Sequence, residues 1–206
     1  MILFDIHTHN TEADPEQAIL DCPQYKAGRK ISLGIHPWYI GNDWIDEFRQ
    51  LEQAAGKANV VAIGECGMDR MKSPADILLQ REVFRAHALL AEREQKPLII
   101  HCVKAFDDIL AIHKEIAPEQ TWIIHGFRGK PRLAEQLTKA GMCLSLGEHF
   151  NSESARIIPA ERLFIESDES KLTIGEIYRR IASARGTGIE VLAAQTYSNS
   201  RIFKQI

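Results

Sequence analysis

Short apolar, β-branched runs alternate along the chain with polar loops and longer stretches of helical period. Runs at Ile2–Ile6, Ile31–Ile35, Val60–Gly64, Pro97–His101, Thr121–His125, Met142–Leu146 and Leu163–Glu166 read as strands, and Ala18–Cys22 as a weaker one. Helical periodicity fills Ile45–Ala55, Ala75–Gln95, Phe106–Ile116, Pro131–Ala140 and Glu153–Ile157. In the clearest of these, Ile77, Leu78, Val83, Phe84, His87, Leu90 and Ala91 fall on one apolar stripe. Thr173 and Glu176 form a capping box ahead of Ile177–Arg185, and a last helix around Ile189–Gln195 follows Gly186 and Gly188. This alternation predicts a mostly parallel sheet with crossover helices, either doubly wound or closed into a barrel. No glycine-rich dinucleotide fingerprint or phosphate loop follows any strand. No linker or composition break divides the chain, so residues 1–206 are expected to form a single domain.

Composition narrows the class. With 45% apolar and 26% charged residues, disorder and low-complexity architectures are excluded. No apolar run approaches the roughly 18 residues that cross a bilayer. The N-terminus has an acid and a histidine where a signal peptide needs basic and then apolar residues, so a cytoplasmic, non-membrane protein is expected. The net charge of −3 leaves no overall nucleic-acid footprint. Residues 1–69 nevertheless carry 11 acids and 5 bases, and residues 70–206 carry 17 acids and 20 bases. That asymmetry permits an anionic ligand held through a metal. Cys22, Cys66, Cys102 and Cys143 show no CxxC spacing and read as reduced, mostly buried residues.

The chemistry gathers at strand ends. In Asp5-Ile6-His7-Thr8-His9, alternation turns Asp5, His7 and His9 to one face, and two imidazoles at i, i+2 can share one divalent cation. His36, Glu65, His101, His125 and Asp168 close other apolar runs. A lone histidine at such a place is ordinarily a hydrogen-bonded structural residue. Four strand ends with histidine and two with acids, all at the carboxyl edge, point instead to a metal site. His87 and His113 lie within helices and read as structural, while His149 falls near the expected mouth. Alternation turns Cys66 and Cys102 away from that edge. Asp5 and Asp69 are expected to orient ligands, and Trp38, Tyr39 and Trp44 either stack on a base or cover the mouth.

The ordered set FDIHTH, SLGIHP, VVAIGECGMD, PLIIHC, IIHGFRG, FIESD and TYSNSRIF, spanning residues 4–203, resembles the TatD family of metal-dependent hydrolases, within the amidohydrolase-like barrels. The resemblance implies two divalent ions, with His7, His9, Glu65 and Asp168 around the first and Glu65, His101 and His125 around the second. Glu65 would bridge, because two cations about 3.5–4 Å apart need a shared carboxylate. Ligand type leaves Mg, Mn and Zn all open. It further implies phosphodiester hydrolysis on DNA by a metal-activated water, with Asp168 and Glu65 catalytic and His36 at the mouth as a substrate contact. Lys104 and Arg128 are the candidate phosphate contacts, since Cys102-Val103-Lys104-Ala105 stands where the family carries Ser-Arg-Asp-Ala. Glu169-Ser170-Lys171 replaces the family's Ser-Pro after Asp168. The rival readings are a PHP-like or other small-molecule phosphoesterase, and a degenerate metal-binding module without catalysis. The expected partner is DNA or a small phosphoester, with no obligate protein partner.

The resemblance also implies a (β/α)8 TIM-like barrel, for which 206 residues is near the lower limit of about 200. Only 21 residues separate His9 from Ile31, and Pro15 and Pro23 interrupt them. The barrel is therefore expected to be distorted, with its first crossover helix shortened or missing and Ala18–Cys22 as a short strand or irregular substitute.

Overall fold

A computed structural model describes residues 1–203. Eight strands follow one another: β1 (Asp5–Thr8), β2 (Ala18–Cys22), β3 (Ile31–Leu33), β4 (Val60–Asp69), β5 (Leu98–Val103), β6 (Trp122–Ile124), β7 (Cys143–Leu146) and β8 (Leu163–Ile165). The helices are α1 (Trp44–Ala55), α2 (Ile77–Glu94), α3 (Phe106–Ile116), α4 (Pro131–Lys139), α5 (Ser152–Ile157), α6 (Ile174–Arg185) and α7 (Ile189–Asn199). The strands lie in the sheet in chain order. The pairs β1–β2, β3–β4, β4–β5, β6–β7 and β7–β8 are parallel. A parallel bridge between Thr8 and Asp168 returns the segment after β8 to β1. This is the (β/α)8 class. Among the described residues no helix lies between β1 and β2, as the spacing predicts, and none between β2 and β3.

The chain packs as two compact units, Met1–Leu20 with the chain from Ile123 on, and Asp21–Trp122. In the first, Phe203 places its ring 6.3 Å from Phe4 and 5.9 Å from Phe164, all three fully buried. Burying one such ring contributes about 1.5–3 kcal/mol. Helix α6 starts at the capping box of Thr173 and Glu176 and stops at Gly186 in the left-handed conformation. The buried Tyr178 hydroxyl donates to the Phe4 carbonyl at 2.8 Å and pairs with Thr196 Oγ1 at 2.9 Å, tying α6 and α7 to the chain entering β1. Asn199 Nδ2 donates to the carbonyls of Ala160 (2.7 Å) and Leu163 (2.9 Å), fixing the end of α7 to the start of β8. These ties set the two strands that lead into His7, His9 and Asp168.

In the second unit, β4 is buried along all ten residues and pairs with β3 and β5. It continues five residues past the expected Val60–Gly64. Gly67 has φ +148°, and a Cβ there would collide with the His101 carbonyl, so only glycine lets β4 approach β5 so closely. Helix α2 begins where Asp76 accepts from the amides of Leu78 and Leu79, both at 2.9 Å. The apolar stripe read from the sequence needs one correction: Leu78 is 74% exposed. Its place in the first turn faces solvent. The buried face starts instead at Gln80, whose Nε2 donates to the Ala75 carbonyl (2.8 Å) and whose Oε1 accepts from the Asp69 amide (2.8 Å).

Candidate active site

In the first unit the backbone pairing of β1 with the segment after β8 assembles a donor group. The Asp168 amide donates to the His7 carbonyl at 2.9 Å, and the His9 amide to the Asp168 carbonyl at 3.2 Å. Asp168 Oδ1 then lies 3.4 Å from His9 Nε2 and 3.9 Å from His7 Nε2. One donor atom from each of His7, His9 and Asp168 fits within 4.8 Å of the others. Asp168 adopts φ +52°, a left-handed conformation that non-glycine residues adopt chiefly where the surroundings impose it. The His125 ring centroid is 4.5 Å from that of His7. Its Nδ1 lies 3.2 Å from Glu166 Oε1, which also accepts from the Gly126 amide at 2.6 Å. Holding Nδ1 in this way leaves Nε2 as the nitrogen that faces a ligand.

Asp5 serves the same group through the backbone. Its Oδ1 accepts from the amides of His7 (3.3 Å) and Ser167 (3.0 Å), and its Oδ2 from the Ser167 hydroxyl (2.6 Å). Burial pushes the Asp5 carboxyl up to about 7, against the hydrogen bonds from Ser167. It orients the chain that carries the ligands rather than an imidazole.

In the second unit the carboxyl halves of β4 and β5 bring a further group together. His101 Nδ1 is 2.7 Å from Glu65 Oε1, and its Nε2 is 3.2 Å from Asp69 Oδ2. With Nε2–H directed at Asp69, the Nδ1 lone pair and the Glu65 carboxylate converge, an arrangement that a proton or a divalent cation satisfies. His36 Nδ1 accepts from the Trp38 amide (3.1 Å), so the neutral ring carries its proton on Nε2, 3.1 Å from Glu65 Oε1. His36 can therefore donate to Glu65, an orienting role beside the substrate contact expected of it. His7, His9 and Asp168 in the first unit, and Glu65 with His101 in the second, are histidine–carboxylate donors of the kind that suits Mg²⁺, Mn²⁺ or Zn²⁺.

Asp69 anchors this group. Burial raises its carboxyl. Hydrogen bonds from Trp38 Nε1 (2.6 Å), the amides of Met71 (2.7 Å) and Lys72 (3.0 Å), and His101 outweigh that and hold it below the usual carboxylate range. Trp38 is thereby committed to the protein, while Tyr39 is 71% exposed beside His36, with ring centroids 5.7 Å apart. Trp44 packs on Phe48. Burial pushes the Cys66 thiol well up and the Cys102 thiol up to about 12, so neither is a nucleophile. All four cysteines are free.

His87 is fully buried, accepting the Ile35 amide on Nε2 (2.9 Å) and pairing Nδ1 with the Val83 carbonyl (2.8 Å), which steadies the residue before His36. His113 packs edge-on against Trp122. Lys104 is exposed just past β5 in the second unit, and Arg128 is exposed in the first, beside the same cavity as Asp168 and His149. Two residues given no role by sequence reasoning belong to the site. Asp21 Oδ1 accepts the Glu65 amide at 2.9 Å and the Ser32 hydroxyl at 3.2 Å. Glu166 holds His125. Glu166 lies two residues before Asp168, a same-face spacing that could have flagged it, whereas nothing local marks Asp21.

Comparison with known proteins accords with this geometry. The family model described as TatD related DNase matches residues 6–204. An uncharacterized metal-dependent hydrolase of Buchnera aphidicola is 30% identical over 69% of this chain, and the match spans 57% of that protein's length. A Pantoea ananatis protein named 3'-5' ssDNA/RNA exonuclease TatD is 28% identical, over 82% of this chain and 75% of its own. The crystal structure of YJJV, a TatD homologue from Escherichia coli, superposes with a TM-score of 0.82 over 100% of both chains at 17% identity, which shows a shared fold. Among the described residues no helix is long and apolar enough to cross a membrane.

Proposed function

The chain belongs to the TatD-related DNase family of metal-dependent hydrolases, and on that premise we propose that residues 1–206 act as one phosphodiesterase domain on DNA. The observation that carries the reading is the pair of histidine–carboxylate groups, one per unit, on or just past the carboxyl halves of the strands. His7, His9 and Asp168 would hold one ion in the first unit, with His125 beside them, and Glu65 with His101 would hold another in the second. Such ions, when bound, supply positive charge that favours a nucleophilic water and offsets the charge developing on phosphoryl oxygens.

The chain's own groups do the rest. A carboxylate oxygen of Asp168 takes the proton of the attacking water, which adds to phosphorus as the ester oxygen departs and takes up a proton from solvent. Asp69 keeps the His101 proton on Nε2, and Glu166 does the same for His125 through Nδ1, so both rings present fixed faces. Lys104, Arg128 and His36 are the substrate contacts of this reading. Single-stranded nucleic acid is the favoured polymer, because the Pantoea relative carries that name. The four free cysteines suit a reducing compartment such as the cytoplasm.

Hydrolysis of single-stranded DNA and of bis(p-nitrophenyl) phosphate, with Mg²⁺, Mn²⁺ or Zn²⁺ and after chelation, tests the proposal. Turnover that needs the ion and disappears in Asp168→Ala and Glu65→Ala supports it. Turnover on phosphomonoesters alone points to the small-molecule phosphoesterase, and none at all to the non-catalytic module.

A further inference from the structure

Of the aromatic residues that follow His36 after β3, Trp38 and Trp44 are committed to the protein. Trp38 donates to Asp69 and carries the Lys72 ammonium over its ring, 4.4 Å from the centroid. Trp44 packs on Phe48, with ring centroids 6.2 Å apart. Tyr39 instead stands in solvent, 71% exposed.

The backbone beneath that ring is held throughout. Pro37 locks its own φ, His36 Nδ1 accepts the Trp38 amide at 3.1 Å, and the Tyr39 amide donates to the His36 carbonyl at 2.9 Å. The Ser73 hydroxyl donates to the Pro37 carbonyl at 2.7 Å, which ties the loop after β3 to the loop after β4. That second loop is fastened in turn by the amides of Met71 and Lys72 on Asp69 Oδ1. A large ring on so rigid a support loses little freedom when a flat partner settles on it.

The surroundings say what that partner is. The Tyr39 ring centroid lies 5.7 Å from that of His36, whose Nε2 is 3.1 Å from Glu65 Oε1. Met71 and Lys72, both exposed, stand on the second of the two joined loops. A π face, a thioether and a cation thus share one rim beside the Glu65–His101 group. A bare phosphodiester would use the cation and leave the ring idle. A base that carries its phosphate uses both. Both faces of a base are covered in a duplex, so the ring suits an unpaired strand.

We propose that Tyr39 is a stacking platform for a base of a single-stranded nucleic acid, and so a specificity-determining residue that favours a polymer with bases over a bare phosphodiester. The chemistry beside it rests on the phosphodiesterase reading, in which Lys104 and Arg128 meet phosphate; Tyr39 meets the base. Every base has a π face, so the preference is for bases as such and not for a sequence.

Fluorescence anisotropy of the full chain in Mn²⁺ buffer tests this with two labelled, uncleavable phosphorothioate strands of equal length, one oligothymidylate and one abasic. The oligothymidylate should bind about tenfold tighter, within the range of one base stacked on an aromatic side chain. Tyr39→Ala should remove that difference, and Tyr39→Trp should keep it. Tyr25→Ala, at a tyrosine 38% exposed with the Lys57 ammonium 3.6 Å from its ring centroid, should alter neither affinity. Equal binding of both strands to the wild type, a difference that survives in Tyr39→Ala, or an equal loss on both strands in that variant overturns the platform. Cleavage of DNA by a protein whose binding ignores the bases overturns the platform and spares the phosphodiesterase reading. A base preference that vanishes in Tyr39→Ala, in a protein that cleaves no diester, upholds the platform and overturns that reading.

Discussion

The indole Nε1 of Trp38 donates to Asp69 Oδ2 at 2.6 Å, on the same oxygen that faces His101 Nε2 at 3.2 Å. One carboxylate oxygen therefore joins the loop after β3 to a candidate metal ligand on β5. Trp38→Phe keeps the ring and removes the donor. Metal affinity is expected to fall about tenfold, the size seen when groups behind a ligand are lost, with little change in melting temperature. A metal titration of activity beside a thermal melt checks this; unchanged affinity would show that Asp69 holds His101 unaided.

His87 makes stability depend on pH. Burial lowers its imidazole from 6.5 to about 4, against the hydrogen bond to Val83. Above pH 6.5 the ring is neutral in both folded and unfolded chains, and its contribution is fully present. Between pH 6.5 and 4 the unfolded chain takes up the proton and the folded one resists, so about 3 kcal/mol of stability is lost across that window. His87→Gln retains an acceptor for the Ile35 amide and a donor for the Val83 carbonyl but does not titrate. Denaturant midpoints from pH 7 to 4 should fall less steeply in the variant; parallel slopes would exclude His87 as the source.

Asp5 separates backbone support from charge. Asp5→Ala takes the side-chain acceptor from the amides of His7 and Ser167, while the Ser167 hydroxyl keeps Thr8 Oγ1 at 2.7 Å, and about 3 kcal/mol of unfolding free energy is expected to go. Asp5→Asn still accepts from the amides of His7 and Ser167, and its loss should stay near 1 kcal/mol. Urea unfolding of the two variants makes the comparison, and equal losses would mean that the charge itself matters.

What could be read in the chain and what could not divide along physical lines. The candidates His7, His9, Glu65, His101, His125 and Asp168 stand out in the sequence because each closes an apolar run, the place where a parallel sheet presents side chains to a site. The missing first helix was legible because 21 residues between His9 and Ile31 leave no length for one. The supporting contacts were not. Asp21 reaches the Glu65 amide, His87 the Ile35 amide and Trp38 the Asp69 carboxylate across 31 to 52 residues of chain, pairings that no local pattern encodes. Leu78 misled for the same reason: helical period says which residues share a face, and only packing says which turn of that face is covered.

The metal dependence of diester cleavage bears most directly on the whole account. Chelated protein should cleave neither single-stranded DNA nor bis(p-nitrophenyl) phosphate, and added Mn²⁺ should restore both in the wild type but not in folded Asp168→Ala. Undiminished cleavage after chelation, or wild-type rates in Asp168→Ala, would contradict it.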